Sequence, residues 1–269
     1  MVLSAEHISC GYGGRAIVHD VSFTAEAGEV VCLLGPNGAG KTTFFRTMQG
    51  FIPPVSGSIR VNGESFSHYN RRELAKLLAY VPQSQGQPFD YSVFDMVLMG
   101  RASYVRNFSA PSSKDREICE SIIHHLSLDY LRNRLYTQIS GGERQMVLIA
   151  RAMAQEPQFL MMDEPTSSLD FGNQVRVLRQ IRRLSEEGIG ILMITHSPDQ
   201  ALLCADKVVL FRKYRSVIVG VPSEILTEDV LQDAYGVQVR FAEANDSRGS
   251  VTRACVPVME DLPVNEKPL

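Results

Sequence analysis

The chain has 269 residues, 44% of them hydrophobic, and a formal net charge of −3. That length supports one or two domains with a sizeable core, and the small charge argues against nucleic acid as the main partner. The five cysteines (Cys10, Cys32, Cys119, Cys204, Cys255) are odd in number, irregularly spaced and without a CxxC pair, a pattern that fits a reduced cytosolic chain rather than a disulfide framework or a zinc site.

No secretory signal is read at the N-terminus, and no apolar run approaches the roughly 20 residues needed to span a bilayer. In chain order, residues 2–10 and 17–24 read as strands separated by Gly11-Tyr12-Gly13-Gly14. A continuous apolar run at 30–34 leads into a glycine-rich loop, followed by a helix at 43–49, a strand at 58–61 and a short helix at 71–78. Between about 84 and 155 apolar residues recur at helical spacing, as in 115–126 and 145–153. Residues 159–162, 189–194 and 207–211 read as strands, and 175–184 as a helix with a solvated arginine face. Strands alternating with helices predict an α/β layer with a parallel sheet, interrupted by a helical insertion. The tail beyond about 242 carries little pattern: 244–249 reads as a loop and 262–269 as a loose end.

Three segments carry chemistry. Gly35-Pro36-Asn37-Gly38-Ala39-Gly40-Lys41-Thr42 matches GxxxxGK[ST] between a buried strand and a helix. Glycines there let the backbone approach and turn its N–H groups onto phosphate oxygens, with a helix N-terminus behind them. Lys41 supplies a charge at the β- and γ-phosphates, and Thr42 a hydroxyl for Mg²⁺. The second segment ends the strand 159–162 in Asp163-Glu164, at the sheet end where ligands bind. Asp163 suits the Mg²⁺ shell and Glu164 suits polarising the attacking water. In the third, Ser140-Gly141-Gly142 starts a helix and forms another anion cradle. Read alone, it is better taken as an N-capped helix with no ligand.

These motifs resemble the ABC ATPases over about residues 1–240, leaving 241–269 as a C-terminal extension. The resemblance implies a P-loop NTPase of α/β class, with a RecA-like core, an N-terminal antiparallel β subdomain and an inserted helical subdomain at about 84–155. It implies ATP hydrolysis with Mg²⁺, and two copies dimerising head to tail so that the signature of one faces ATP on the phosphate loop of the other. The family signature is usually Leu-Ser-Gly-Gly-Gln; here it is Ile139-Ser140-Gly141-Gly142-Glu143. By the same resemblance Gln83 senses Mg²⁺ and water and hinges the helical insertion. Ser167-Ser168-Leu169-Asp170 crosses the dimer interface, and His196 is the switch histidine. Tyr12 stacks on adenine, with a turn tyrosine packed on its own sheet as the competing reading, and Thr43 joins Thr42 in the nucleotide-binding set. Ser197 and Pro198 stand where an acid and an apolar residue are usual, which leaves the loop shape open.

Residues 89–101 and 140–155 look like those of ATPases from metal-chelate importers, which move iron–siderophore, haem or cobalamin. That resemblance implies a permease (two subunits), a substrate-binding protein, no nucleic-acid partner, and a peripheral position on the cytoplasmic face of the membrane. Aromatic and Met residues at 89–104 then serve as helical-block core, as a groove for the permease, or both. A soluble ABC ATPase acting in assembly is the rival. A translation or repair ATPase fits less well, because the chain has one phosphate loop and no long heptad tract.

Overall fold

The computed structural model describes residues 1–83, 90–105, 109–212, 216–245 and 251–259. Strands β1 (Val2–Tyr12) and β2 (Arg15–Glu26) form an antiparallel pair. A buried strand, β3 (Val30–Leu34), leads to helix α1 (Lys41–Met48). The chain then returns through β4 (Ser56–Val61) and β5 (Glu64–Ser65), completing an antiparallel sheet of order β2-β1-β4-β5.

Helix α2 (Arg71–Leu77), closed by an Asn70/Glu73 capping box, leads into β6 (Leu78–Val81). Three helices follow before the sheet resumes: α3 (Val93–Leu98), α4 (Ser113–His125) and α5 (Gly141–Met153). The core continues with β7 (Phe159–Asp163), α6 (Phe171–Glu186), β8 (Gly190–Thr195), α7 (Pro198–Cys204), β9 (Lys207–Phe211) and β10 (Val217–Gly220). The second sheet has the order β10-β9-β3-β8-β7-β6 and is parallel except for β10. Because β3 lies between β8 and β9 with both faces covered, all five of its side chains are buried, which is why it reads as a continuous apolar run. Helices α8 (Pro222–Ile225) and α9 (Glu228–Tyr235) precede the paired strands β11 (Val239–Asn245) and β12 (Val251–Pro257). The α/β layer with an N-terminal antiparallel sheet is as expected.

Two cores fix the site. One lies between the sheets, where α1 inserts Phe44, Phe45 and Met48. Phe44 packs against Phe23 and Phe211, with ring centroids 6.0 and 5.5 Å away, in the range for favourable aromatic pairs. The other covers the far face of the parallel sheet and runs into α3, α4 and α5. There the Arg101 side chain, 4% exposed, bonds Asp115 at 2.9 Å, the Ala154 carbonyl at 2.7 Å and Glu156 at 2.7 Å, tying the helices together. Among the described residues no helix is long and apolar enough to cross a membrane.

Some elements depart from the sequence reading. Helix α6 begins four residues earlier than the apolar periodicity indicates, because Asp170 caps it, whereas α5 begins behind its Ser140 cap as expected. Arg182 lies at the edge of the expected arginine face, half-buried, where it bonds the Cys204 carbonyl and Asp206. The tail expected to lack pattern pairs as β11 and β12, a largely exposed pair of strands whose weak alternation hides it. Phe89, residues 246–249 of the expected loop and the end at 262–269 lie outside the described residues.

Candidate functional site

The phosphate loop joins β3 to α1, and its glycines are forced. Gly35 sits at φ 144°, where an added Cβ would lie 2.3 Å from the Phe211 carbonyl oxygen; at Gly40, φ 98°, it would lie 2.4 Å from Val18 Cγ2. Helix α1 has Gly40 at its N-cap, no side-chain capping bond and no acid in its first turn. Its first N–H groups are therefore left for an anion placed in the loop. The Lys41 ammonium lies under the loop, donating to the carbonyls of Gly35 (2.7 Å) and Pro36 (2.8 Å). Burial lowers its pKa, against the pull of Glu164 and Asp163. Thr42 is exposed and offers its hydroxyl, whereas Thr43 is buried and offers its backbone N–H.

Asp163 ends β7, and Glu164 follows at φ 45°, a left-handed conformation uncommon outside glycine and seen where a site holds it. Burial raises the Asp163 pKa and repulsion from Glu164 adds to it, opposed by a Tyr80 hydroxyl 3.4 Å away and by Arg46 and Lys41. Two adjacent, partly buried acids, both close enough to Lys41 to pull its pKa upward, form with the hydroxyl of the next residue, Thr42, an oxygen donor set that fits a hard divalent cation. Gln83, two residues beyond β6, donates its amide to Ser167 Oγ at 2.9 Å, and Ser167 Oγ donates to the Glu164 carbonyl at 2.8 Å. The sequence reading missed this role of Ser167; only its place in the loop after Glu164 hints at it.

His196 leaves the end of β8 with Nδ1 3.7 Å from Glu164 Oε1. The loop left open by Ser197 and Pro198 is resolved: Ser197 caps α7 and Pro198 takes its first position, where a missing N–H costs nothing. Gln200, also missed, accepts from Thr166 Oγ1 (2.9 Å) and Thr195 Oγ1 (2.8 Å), joining the loop after Glu164 to the strand before His196. No local pattern marks a half-buried helix glutamine for that task.

The second cradle stands on α5. Ser140 Oγ caps the N–H of Glu143, and the Glu143 carboxylate accepts in turn from the Ser140 backbone and hydroxyl, each at 2.8 Å. Gly142 is buried against the Asn173 side chain, which Asp170 holds at 2.7 Å. Asp170 is thus tied to the signature rather than to the phosphate loop of its own chain. Tyr12, 53% exposed, pairs with Arg15, close before Ile17 and Val18, whose side chains lie against Gly40. Tyr12 also lines a pocket with Phe51, Ile52 and Pro53.

The ABC transporter family profile matches residues 18–167. An uncharacterised ABC transporter ATP-binding protein of Haemophilus influenzae is 42% identical over 87% of this chain and 89% of its own. The hemin import ATP-binding protein HmuV of Burkholderia ambifaria is 35% identical over 91% of this chain and 97% of its own. Among solved structures, one described as a metal-chelate type ABC transporter in an inward-facing conformation is 32% identical with a TM-score of 0.85, covering 96% of this chain and 98% of that one. With a phosphate loop, two acids at the strand end and a signature cradle in one chain, it belongs to the ABC transporter family as an ATP-binding, ATP-hydrolysing subunit.

Proposed function

We propose that two copies of this chain close head to tail on ATP to power import of a metal chelate of the haem, siderophore or cobalamin class. Import proceeds through two permease subunits supplied by a substrate-binding protein, with the ATPase peripheral on the cytoplasmic face of the membrane. The observation that carries the dimer is the presence of two anion cradles on different helices, α1 and α5, of which one nucleotide on one chain needs only the first.

The side chains divide the work. The loop from Gly35 to Gly40 and the α1 N-terminus hold the phosphates, Lys41 adds charge, and Tyr12 takes the adenine. Mg²⁺, when bound, neutralises charge on the β- and γ-oxygens; the Thr42 hydroxyl and Asp163 would hold it, with Gln83 at the edge of its shell. Glu164 orients and deprotonates the attacking water, and His196 stabilises the γ-phosphate. Ser140, Gly141 and Gly142 of the second copy close on the same phosphate, with its Asp170 beside them. Closure is driven by the higher affinity of the closed state for ATP.

A groove of about 410 Å³ runs between α2 and the segment after α3, lined among others by Phe51, Leu74, Tyr80, Met99, Gly100 and Arg151. It supports the reading of 89–104 as both core and docking surface: Val93, Phe94, Met96 and Val97 pack inward, while Met99 opens outward. The proposed occupant is a cytoplasmic helix of the permease. Tyr80 joins this groove to Asp163, so a push on the groove is felt at the phosphate site. The test is affinity capture of the tagged chain from native membranes. Recovery of a permease with many membrane helices supports the proposal. Recovery of soluble partners alone keeps the ATPase and selects the assembly reading.

A further inference from the structure

Tyr235 ends α9, outside every motif that marks the ATPase, yet it reaches the heart of the site. Its hydroxyl donates to the His196 carbonyl at 3.2 Å, and the backbone of Gly35, the first residue of the phosphate loop, lies near enough to oppose the rise in pKa that burial gives the phenol. Helix α9 is itself anchored, with Leu231 and Ala234 fully buried. The C-terminal hairpin braces both ends of this arrangement. Through β11, Arg240 pairs with Glu228 and the Phe241 N–H bonds Glu228 at 3.2 Å, at the start of α9. Through β12, the Cys255 N–H donates to Asp199 Oδ1 at 2.6 Å, three residues after His196. The hairpin, α9 and α7 thus form a closed ring around the loop that carries His196.

We propose that Tyr235 is a positioning residue for hydrolysis, latching the His196 loop to the phosphate loop so that the imidazole stands at the γ-phosphate edge. The latch rests on the role given to His196 above and extends it. The C-terminal extension then acts as a brace for the site. A tyrosine suits the task because its half-buried ring fixes the position of a hydroxyl that can both donate to and accept from backbone groups.

Tyr235→Phe keeps the ring and removes the hydroxyl. On the full-length chain, kcat for ATP and the Kd of ATP are measured for this variant and for His196→Ala. The expected result for Tyr235→Phe is a fall in kcat of about fivefold to tenfold, with Kd within about threefold of the unaltered chain, as for a lost hydrogen bond felt mainly in the transition state. An unchanged kcat in Tyr235→Phe, with His196→Ala strongly impaired, overturns the latch and leaves the histidine's role standing. A Kd that weakens in step with kcat overturns it as well, since that is general loosening of the loop. Undiminished turnover in His196→Ala removes the histidine's role and the latch with it.

Discussion

The Glu143 carboxylate folds back on Ser140, taking hydrogen bonds from both its backbone N–H and its hydroxyl at 2.8 Å. Burial works to raise the Glu143 pKa, but those bonds and the Tyr130 hydroxyl outweigh it, so the carboxylate is held ionised. A negative group therefore occupies the helix N-terminus to which the proposed head-to-tail dimer brings the partner copy's ATP. Glu143→Gln keeps the capping geometry and removes the charge. It should lower KM for ATP by about threefold to tenfold, the scale of one exposed charge–dipole interaction. It should also cost some helix-capping stability, read as a slightly lower Tm. An unchanged KM would show that the carboxylate does not compete with phosphate.

Gln83 reaches Glu164 through one hydroxyl, that of Ser167. Removing either end of this relay should disturb the water-polarising carboxylate more than nucleotide binding. Gln83→Ala should cut kcat by about tenfold or more while ATP affinity changes by less than about threefold, and Ser167→Ala should act in the same direction. Steady-state rates beside equilibrium ATP titration separate the two quantities.

Arg101 and Asp115 give a pH dependence of stability. Hydrogen bonds from Ser112, then Arg101, hold the Asp115 pKa at about 2, below its ordinary 3.8. Because the folded value is the lower one, the stabilisation is fully present above the unfolded pKa and is lost as pH falls from about 4 towards 2, amounting to about 1–2 kcal/mol. Asp115→Asn should flatten that part of the stability curve. It should also cost about 3 kcal/mol near neutral pH by leaving the buried Arg101 with Glu156 and the Ala154 carbonyl but without its buried carboxylate. Chemical denaturation at a series of pH values measures both effects.

Met99 is 40% exposed on the rim of the groove between α2 and α3. Met99→Glu places a charge on that apolar lining and should reduce capture of the permease by about tenfold. Full recovery of the permease would place its docking helix elsewhere.

Much of the site was legible in the sequence because its chemistry is local. The run Gly35 to Thr42 encodes its own loop, and Asp163-Glu164 is placed by the apolar strand before it. What escaped was what depends on distant packing. Ser167, Gln200 and Tyr235 act through bonds to residues 84, 34 and 39 positions away, which no local pattern announces. The start of α6 was read late because the periodicity marks the buried face, whereas the cap at Asp170 marks the end. The hairpin at 239–257 was missed because most of its side chains remain partly exposed, which blurs the alternation that identifies a strand.

The most direct test of the account is Glu164→Gln in the full-length chain, with ATP hydrolysis, ATP binding and association state measured together. The account predicts that ATP is still bound, that ATP drives the variant into a stable dimer, and that turnover falls by about a hundredfold or more. Turnover close to that of the unaltered chain, or a variant that stays monomeric with ATP bound, would contradict the assignment of Glu164 and of the head-to-tail site.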